Sequence, residues 1–136
     1  MRNAFVYGLL MGAVLGAVLG AVLDAAAQSG FPFGRELRLD ASPMRGSKRV
    51  PNLDIDSKGA VMIELWCNAV QGQMVVAMDT VTIITGAMTQ RSCTPDQARA
   101  DDALIAVLNQ VTNWRAEGSA LVLTGTRTLR FRVNTN

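Results

Sequence analysis

The chain has 136 residues, with 13 Lys and Arg, 11 Asp and Glu and a formal net charge of +2. This near-neutral balance gives no electrostatic reason to expect nucleic acid as a partner, and aromatic residues, at 5%, are too few for a base-stacking surface. The absence of histidine removes the commonest general base and the commonest metal ligand. The length is that of one domain.

The N-terminus has the three-part layout of a secretory signal. Arg2 gives a positively charged start, residues 4–23 form an apolar run without charge, and a small-residue stretch ends at Ala27. We therefore predict a signal peptide over residues 1–27 that is cleaved before Gln28. The mature protein is then periplasmic or secreted.

A second interpretation of the same run is an uncleaved membrane anchor. Residues 4–23 are long enough to span a bilayer. Glycine recurs at every fourth position from Gly8 to Gly20, on one helical face, as in close-packed membrane helices. No cysteine closely follows the run, which excludes a bacterial lipoprotein anchor. Under this alternative the protein stays in the inner membrane and pairs with a partner there.

Residues 28–34 contain glycine and proline and are predicted to be a linker that precedes a domain over residues 35–136. The domain opens with alternating polar and apolar residues over 35–40, which predicts a half-buried strand. A loop with Arg45, Lys48 and Arg49 follows; a charge run of this size is usually a solvated loop, and an anion-binding patch is the alternative.

Further strands are predicted from runs of apolar and β-branched residues separated by turn signals. They cover residues 50–55, 60–66, 73–78 and 80–85 in the first part of the chain, and 113–116, 120–123 and 127–133 in the last part.

One helix is predicted to begin after Thr94. Thr94 and Gln97 have the spacing of a capping box, and Pro95 suits the first helical position. An apolar stripe then recurs at helical spacing and ends near Asn113. The stripe consists of Leu104, Val107, Leu108 and Val111.

Sequential short strands joined by tight turns, with one helix among them, predict an α+β fold that is mainly β. In this prediction a small bent antiparallel sheet, or a barrel-like sheet, packs on the single helix.

The two cysteines lie at element boundaries. Cys67 follows a predicted strand and Cys93 directly precedes the helix start, 26 positions later. In an exported chain this favours a structural disulfide, and two buried free thiols are the alternative. A redox site lacks the close cysteine pair that it needs, and two thiols without histidine leave zinc coordination incomplete.

A set of residues around these cysteines resembles the META domain of the heat-shock HslJ-like family. Cys67-Asn68 is followed by Gly72, and Thr89 stands four residues before Cys93. Later positions fit the same pattern, namely Asp101, Leu104, Leu108, Val111, Trp114, Leu121, Leu123, Leu129 and Phe131. The resemblance implies a small antiparallel barrel-like sheet with one packed helix. It also implies an exported envelope protein linked to stress, drug tolerance or secretion, without an established enzymatic activity.

The candidate residues are predicted to have structural roles. We expect Asn68 to hold a strained turn or an αL backbone position rather than to contact a ligand. We expect Thr89 to bond the loop backbone, because no base is placed beside it to make it a nucleophile. We expect Trp66 to cover the disulfide or one end of the sheet; a ligand-stacking or partner surface at the barrel mouth is the alternative.

We therefore expect a non-enzymatic exported envelope protein, without cofactor or metal, that acts in stress tolerance or envelope interactions. A first alternative is a binding module for a small apolar ligand in a cavity between Met62, Met74, Met78 and Ile84. A second is a membrane-anchored partner protein that uses residues 4–23. The expected partner is a protein or a small apolar ligand, not a nucleic acid, and the membrane only if the N-terminal segment is uncleaved.

Overall fold

The computed structural model describes residues 30–135 of the chain. The predicted signal peptide over 1–27, the alternative anchor over 4–23 and the first two residues of the predicted linker lie outside the described residues. Within residues 30–135, no helix has both the length and the apolar character needed to cross a bilayer.

Eight strands and one helix occur in the described chain. In chain order they are β1 (Arg35–Leu39), β2 (Asn52–Ile55), β3 (Ala60–Glu64), β4 (Ala69–Ala77), β5 (Thr80–Met88), α1 (Pro95–Asn109), β6 (Asn113–Glu117), β7 (Ala120–Thr124) and β8 (Thr128–Val133). Each predicted strand is present. The two central ones, β4 and β5, are longer than predicted, at nine residues each.

The strands form a closed antiparallel barrel in sequence order. β1 pairs with β2 on one side and with β8 on the other, where Leu37 lies opposite Val133. The predicted α+β class is wrong, since eight strands and one helix of 15 residues make residues 30–135 a mainly β fold. The barrel-like form of the prediction, with a single packed helix, is compatible with this closed barrel. Alternating polarity is the same in an open bent sheet and in a closed one, so it does not reveal the pairing of the first strand with the last.

The pairing between β5 and β6 has the fewest residue pairs of any two neighbouring strands in the barrel. Its register contains one pair, Thr80 opposite Asn113, supported by the bond from Val81 N to Thr112 O. The chain between these strands forms α1, whose Leu104 and Leu108 belong to the barrel core. The helix therefore packs beside β5 where strand pairing stops.

The start of α1 is as predicted. The Thr94 side chain accepts a hydrogen bond from Gln97 N, and the Gln97 side chain accepts one from Thr94 N, which completes the capping box. The helix ends at Asn109 rather than near Asn113, because Gln110 caps it through a bond from its N–H to the Val107 carbonyl.

Side chains fill the barrel interior. Those that are fully enclosed include Leu37, Ile63, Leu65, Leu108, Leu123 and Phe131. Of the four positions predicted to line a ligand cavity, only Met74 is buried; Met62 is half-buried, and Met78 and Ile84 are exposed. The register explains the error, because Met74 lies opposite Ile83 on the inward face while Ile84 lies opposite Gln73 on the outward face.

Two phenylalanines of the predicted linker pack against one end of the barrel. Phe31 is 6% exposed and belongs to the core. Its ring meets Trp114 edge-on, with ring centroids 5.1 Å apart, and the Phe33 ring is 4.7 Å away. Gly34 N donates to Asp56 O in the β2–β3 turn. Residues 31–34 therefore belong to the packed structure and close this end of the barrel.

Candidate functional site

Cys67 and Cys93 are bonded to each other in the structure. Their Cα atoms are 6.0 Å apart across a sequence separation of 26. The bond joins the β3–β4 turn, residues 65–68, to the residue before the N-cap of α1. We call this disulfide, together with the side chains of Asn68, Thr89 and Asp101, the disulfide junction.

Asp101 connects the helix to the β3–β4 turn. Its carboxylate has no solvent exposure, and its two oxygens accept hydrogen bonds from Cys67 N at 3.1 Å and Asn68 N at 2.7 Å. Such charge-assisted bonds are stronger than neutral ones. In the sequence, Asp101 stood out only as part of the family pattern. The missed signal is its position three residues before Leu104, which puts a carboxylate on the buried stripe.

Asn68 holds the loop that leads to Cys93. The side chain is 7% exposed. Its Oδ1 accepts hydrogen bonds from Arg91 N at 2.8 Å and from the Thr89 hydroxyl at 3.0 Å, and its Nδ2 donates to Cys93 Sγ at 3.2 Å. One amide therefore fixes both the loop backbone and one sulfur of the disulfide.

The Thr89 hydroxyl takes part in the same set of bonds. It donates to Asn68 Oδ1 and accepts from Ala69 N at 3.0 Å, while Thr89 N donates to the Ala69 carbonyl at 2.9 Å. The hydroxyl proton is thus directed at an amide oxygen rather than at a base, so this geometry does not activate Thr89 as a nucleophile.

Gly72 lies away from the disulfide junction, next to an irregularity in the β4–β5 pairing between Val70 and Gly72. A Cβ at this position would approach the Ile84 carbonyl oxygen to 2.6 Å. The two backbones are therefore close enough to require glycine. This is a structural requirement of the sheet.

A groove of about 380 Å³ lies on the outer barrel surface beside the disulfide junction. It passes over the small residues of β4 and β5, and its lining includes Met62, Glu64, Gln71, Ala87, Thr89 and Arg91. Trp66, the predicted partner surface, is half-buried and is not among the lining residues.

One wall of this groove carries charged side chains that are joined by hydrogen bonds and ion pairs. Arg91 Nη1 donates to the Cys67 carbonyl at 3.2 Å and to Glu64 Oε2 at 3.4 Å. Arg49, from the basic loop, pairs with the same Glu64 oxygen. The groove therefore combines an apolar floor with a fixed cation–carboxylate pair at its edge, which suits a short polypeptide segment better than a purely apolar ligand.

The donor atoms of Cys67, Cys93 and Asp101 lie within 4.8 Å of one another. A sulfur ligates metal as a thiolate, and here both sulfurs are joined in the disulfide, while both Asp101 oxygens accept backbone N–H groups. No buried side-chain nitrogen or oxygen of the described chain lacks a hydrogen-bond partner. These donor atoms are already used in the disulfide and in hydrogen bonds of the fold.

Comparisons with known proteins give one family and several solved folds. A family model described as the META domain matches residues 22–135. An NMR structure of a protein from Burkholderia xenovorans has a TM-score of 0.62 and 16% identity, covering 97% of this chain and 100% of that one. A second NMR structure has a TM-score of 0.58 and 19% identity, covering 74% of this chain and 89% of that one.

A crystal structure of a DUF4847 family protein from Bacteroides vulgatus ATCC 8482 is also similar, with a TM-score of 0.51 and 16% identity. The match covers 63% of this chain and spans only 60% of that protein. No curated protein matches the chain. At these identities the structural likeness shows the barrel fold alone.

Proposed function

The chain belongs to the META domain family, and from that premise we propose that it is a non-enzymatic protein of the cell envelope whose domain binds a protein partner. The family predicted from the residues around Cys67 and Cys93 is confirmed by the match over residues 22–135. Its role in stress tolerance or envelope interactions is part of the proposal.

The observation that carries the non-enzymatic assignment is the closed set of bonds at the disulfide junction. The Asn68 amide, the Thr89 hydroxyl and the Asp101 carboxylate are all used to hold backbone groups. An active site needs a nucleophile, or a proton donor or acceptor, that is free to meet a substrate. The polar groups of the junction are instead occupied by the fold.

Export is supported by two independent features. Residues 1–27 have the layout of a secretory signal, and disulfides form and persist mainly in oxidising compartments such as the periplasm. We propose cleavage before Gln28 and a periplasmic or secreted mature protein. Retention in the inner membrane through residues 4–23 is the alternative.

The groove is the surface that we assign to the partner. The disulfide and the bonds of Asn68 fix the loop that carries Thr89 and Arg91, so the groove is formed before a ligand arrives. Preformed sites avoid the ordering cost that weakens association. Arg91 and Glu64 offer charged hydrogen-bonding groups at the edge, and Met62 supplies a flexible apolar contact.

Filling this groove tests the proposal. Ala87 is exposed and lines the groove, so Ala87→Arg obstructs it without disturbing the core. In cells that lack the native gene, we expect this variant to fail to restore survival under envelope stress. The matched control, Ala106→Arg, lies on an exposed face of α1 outside the groove and should restore survival fully.

Both variants must show the melting temperature of the native protein for this comparison to hold. Equal restoration of survival by the two variants would remove the groove from the function. A hydrolase or redox activity that disappears with Thr89→Ala, while the protein stays folded, would overturn the non-enzymatic assignment.

A further inference from the structure

The large apolar side chains that residues 30–135 expose are concentrated on one hairpin. They are Val75, Met78 and Ile84, which are 52%, 69% and 58% exposed. Val75 and Ile84 lie on the outward face of β4 and β5, and Met78 is in the turn between these strands. Single exposed apolar residues need no explanation, but a group of them on one element marks a contact surface. We call these three residues the hairpin surface.

This hairpin is also nearly free of charge. Asp79, in the turn, is the only charged residue from Ala69 to Met88. The outward face of β6, β7 and β8 differs, because ion pairs such as Arg115–Glu117 and Arg130–Glu117 cross it. The hairpin surface can therefore leave water with little desolvation of charge, whereas the ion-paired face cannot.

Met78 has an unusual backbone conformation for its residue type. Its φ is +55°, and it is the only residue other than glycine with positive φ in the described chain. Glycine or asparagine adopts this conformation at lower cost in a two-residue hairpin turn. The turn nevertheless carries a long, flexible apolar side chain that points into solvent, where a contact can bury it.

The hairpin turn lies close to the point where the described chain begins. Trp114 Nε1 donates to the Met78 carbonyl at 2.7 Å, and the same indole ring is 3.9 Å from the Cβ position of Gly30. Only six residues separate Gly30 from the apolar run that ends at Leu23. Six extended residues span at most about 20 Å, so in the alternative in which residues 4–23 stay in the inner membrane the hairpin turn lies near that bilayer.

We propose that the hairpin surface docks on a phospholipid bilayer, with Met78 at the headgroup boundary and Val75 and Ile84 against the lipid surface. Burial of apolar area drives such interfacial binding, and the hairpin offers that area without charge. This inference rests on the alternative in which residues 4–23 are retained in the membrane, and it does not depend on the groove.

Site-specific labels on the full chain in vesicles test this proposal. Met78→Cys carries a fluorophore attached without reductant, so that Cys67 and Cys93 stay bonded and unlabelled. The matched control is Thr126→Cys, an exposed position in the β7–β8 turn, at the end of β7 opposite the β6–β7 turn. The vesicles contain phosphatidylethanolamine and phosphatidylglycerol, so that a zwitterionic and an anionic headgroup are both available.

We expect vesicles to cause a several-fold loss of iodide quenching at position 78 and a gain of quenching by a nitroxide in the lipid phase. The label at position 126 should stay accessible to iodide. Adding Val75→Asp and Ile84→Asp to the protein labelled at position 78 should restore iodide quenching there. These side chains point outward, so the circular dichroism spectrum should not change.

Two results would overturn the proposal. One is equal iodide quenching at positions 78 and 126 in vesicles. The other is protection of position 78 without vesicles that increases with protein concentration, which would make a second copy of the chain the occupant. Neither result bears on the groove, whose test uses Ala87 and cell survival.

Discussion

Asp101 shows how one residue joins parts of the molecule that are distant in sequence. Its carboxylate bonds the backbone of Cys67 and Asn68, which lie 34 and 33 positions earlier. Helical periodicity placed Leu104 and Leu108 in the core, and both are buried. The same periodicity puts Asp101 on that face, but it does not identify the N–H groups that the carboxylate meets, because local patterns carry no information on long-range contacts.

We expect Asp101→Asn to lower the free energy of unfolding by about 3 kcal/mol, since an amide supplies one acceptor oxygen and turns its NH₂ group toward a backbone N–H. Denaturant titration measures the change. Asp102→Asn, on the exposed side of the same helix turn, is the control and should stay within about 0.5 kcal/mol of the native value. Equal effects of the two substitutions would show that the buried bonds do not stabilise the fold.

At the scale of elements, the sequence indicated where strands and the helix start more reliably than how the chain enters the barrel. The capping box at Thr94 and the eight strand regions are present. Residues 28–34 were assigned to a linker from Gly30 and Pro32, yet Phe31 belongs to the core. Glycine and proline report backbone conformation, whereas burial depends on a partner, here Trp114, that local composition does not reveal.

We expect Phe31→Ala to destabilise the domain by about 3–5 kcal/mol, the usual cost of removing a buried phenylalanine ring. Phe33→Ala is the control, because this side chain is only half-buried, and it should cost clearly less. Thermal unfolding of both variants makes the comparison. A native-like melting temperature for Phe31→Ala would mean that the segment is a linker after all.

At the scale of the whole molecule, the barrel closes through its first and last strands, and one disulfide links the β3–β4 turn to the start of the helix. Closure pairs Leu37 of the first strand with Val133 of the last, a contact that strand periodicity does not encode. The cysteine positions did predict the linkage, because an exported chain with two cysteines at element boundaries favours a disulfide. In the chain-entropy model, closing a loop of this length stabilises the fold by about 3 kcal/mol.

The central claim, an exported domain held by the Cys67–Cys93 disulfide, is tested most directly by the intact mass of the protein from its native cell envelope. The protein is alkylated with and without prior reduction. We predict the mass of a chain that begins at Gln28, with two alkyl groups added only after reduction. A full-length mass with the same alkylation would show that the N-terminal segment is not cleaved and would favour the membrane anchor. Alkylation without reduction, or recovery from the cytoplasm alone, would contradict the account.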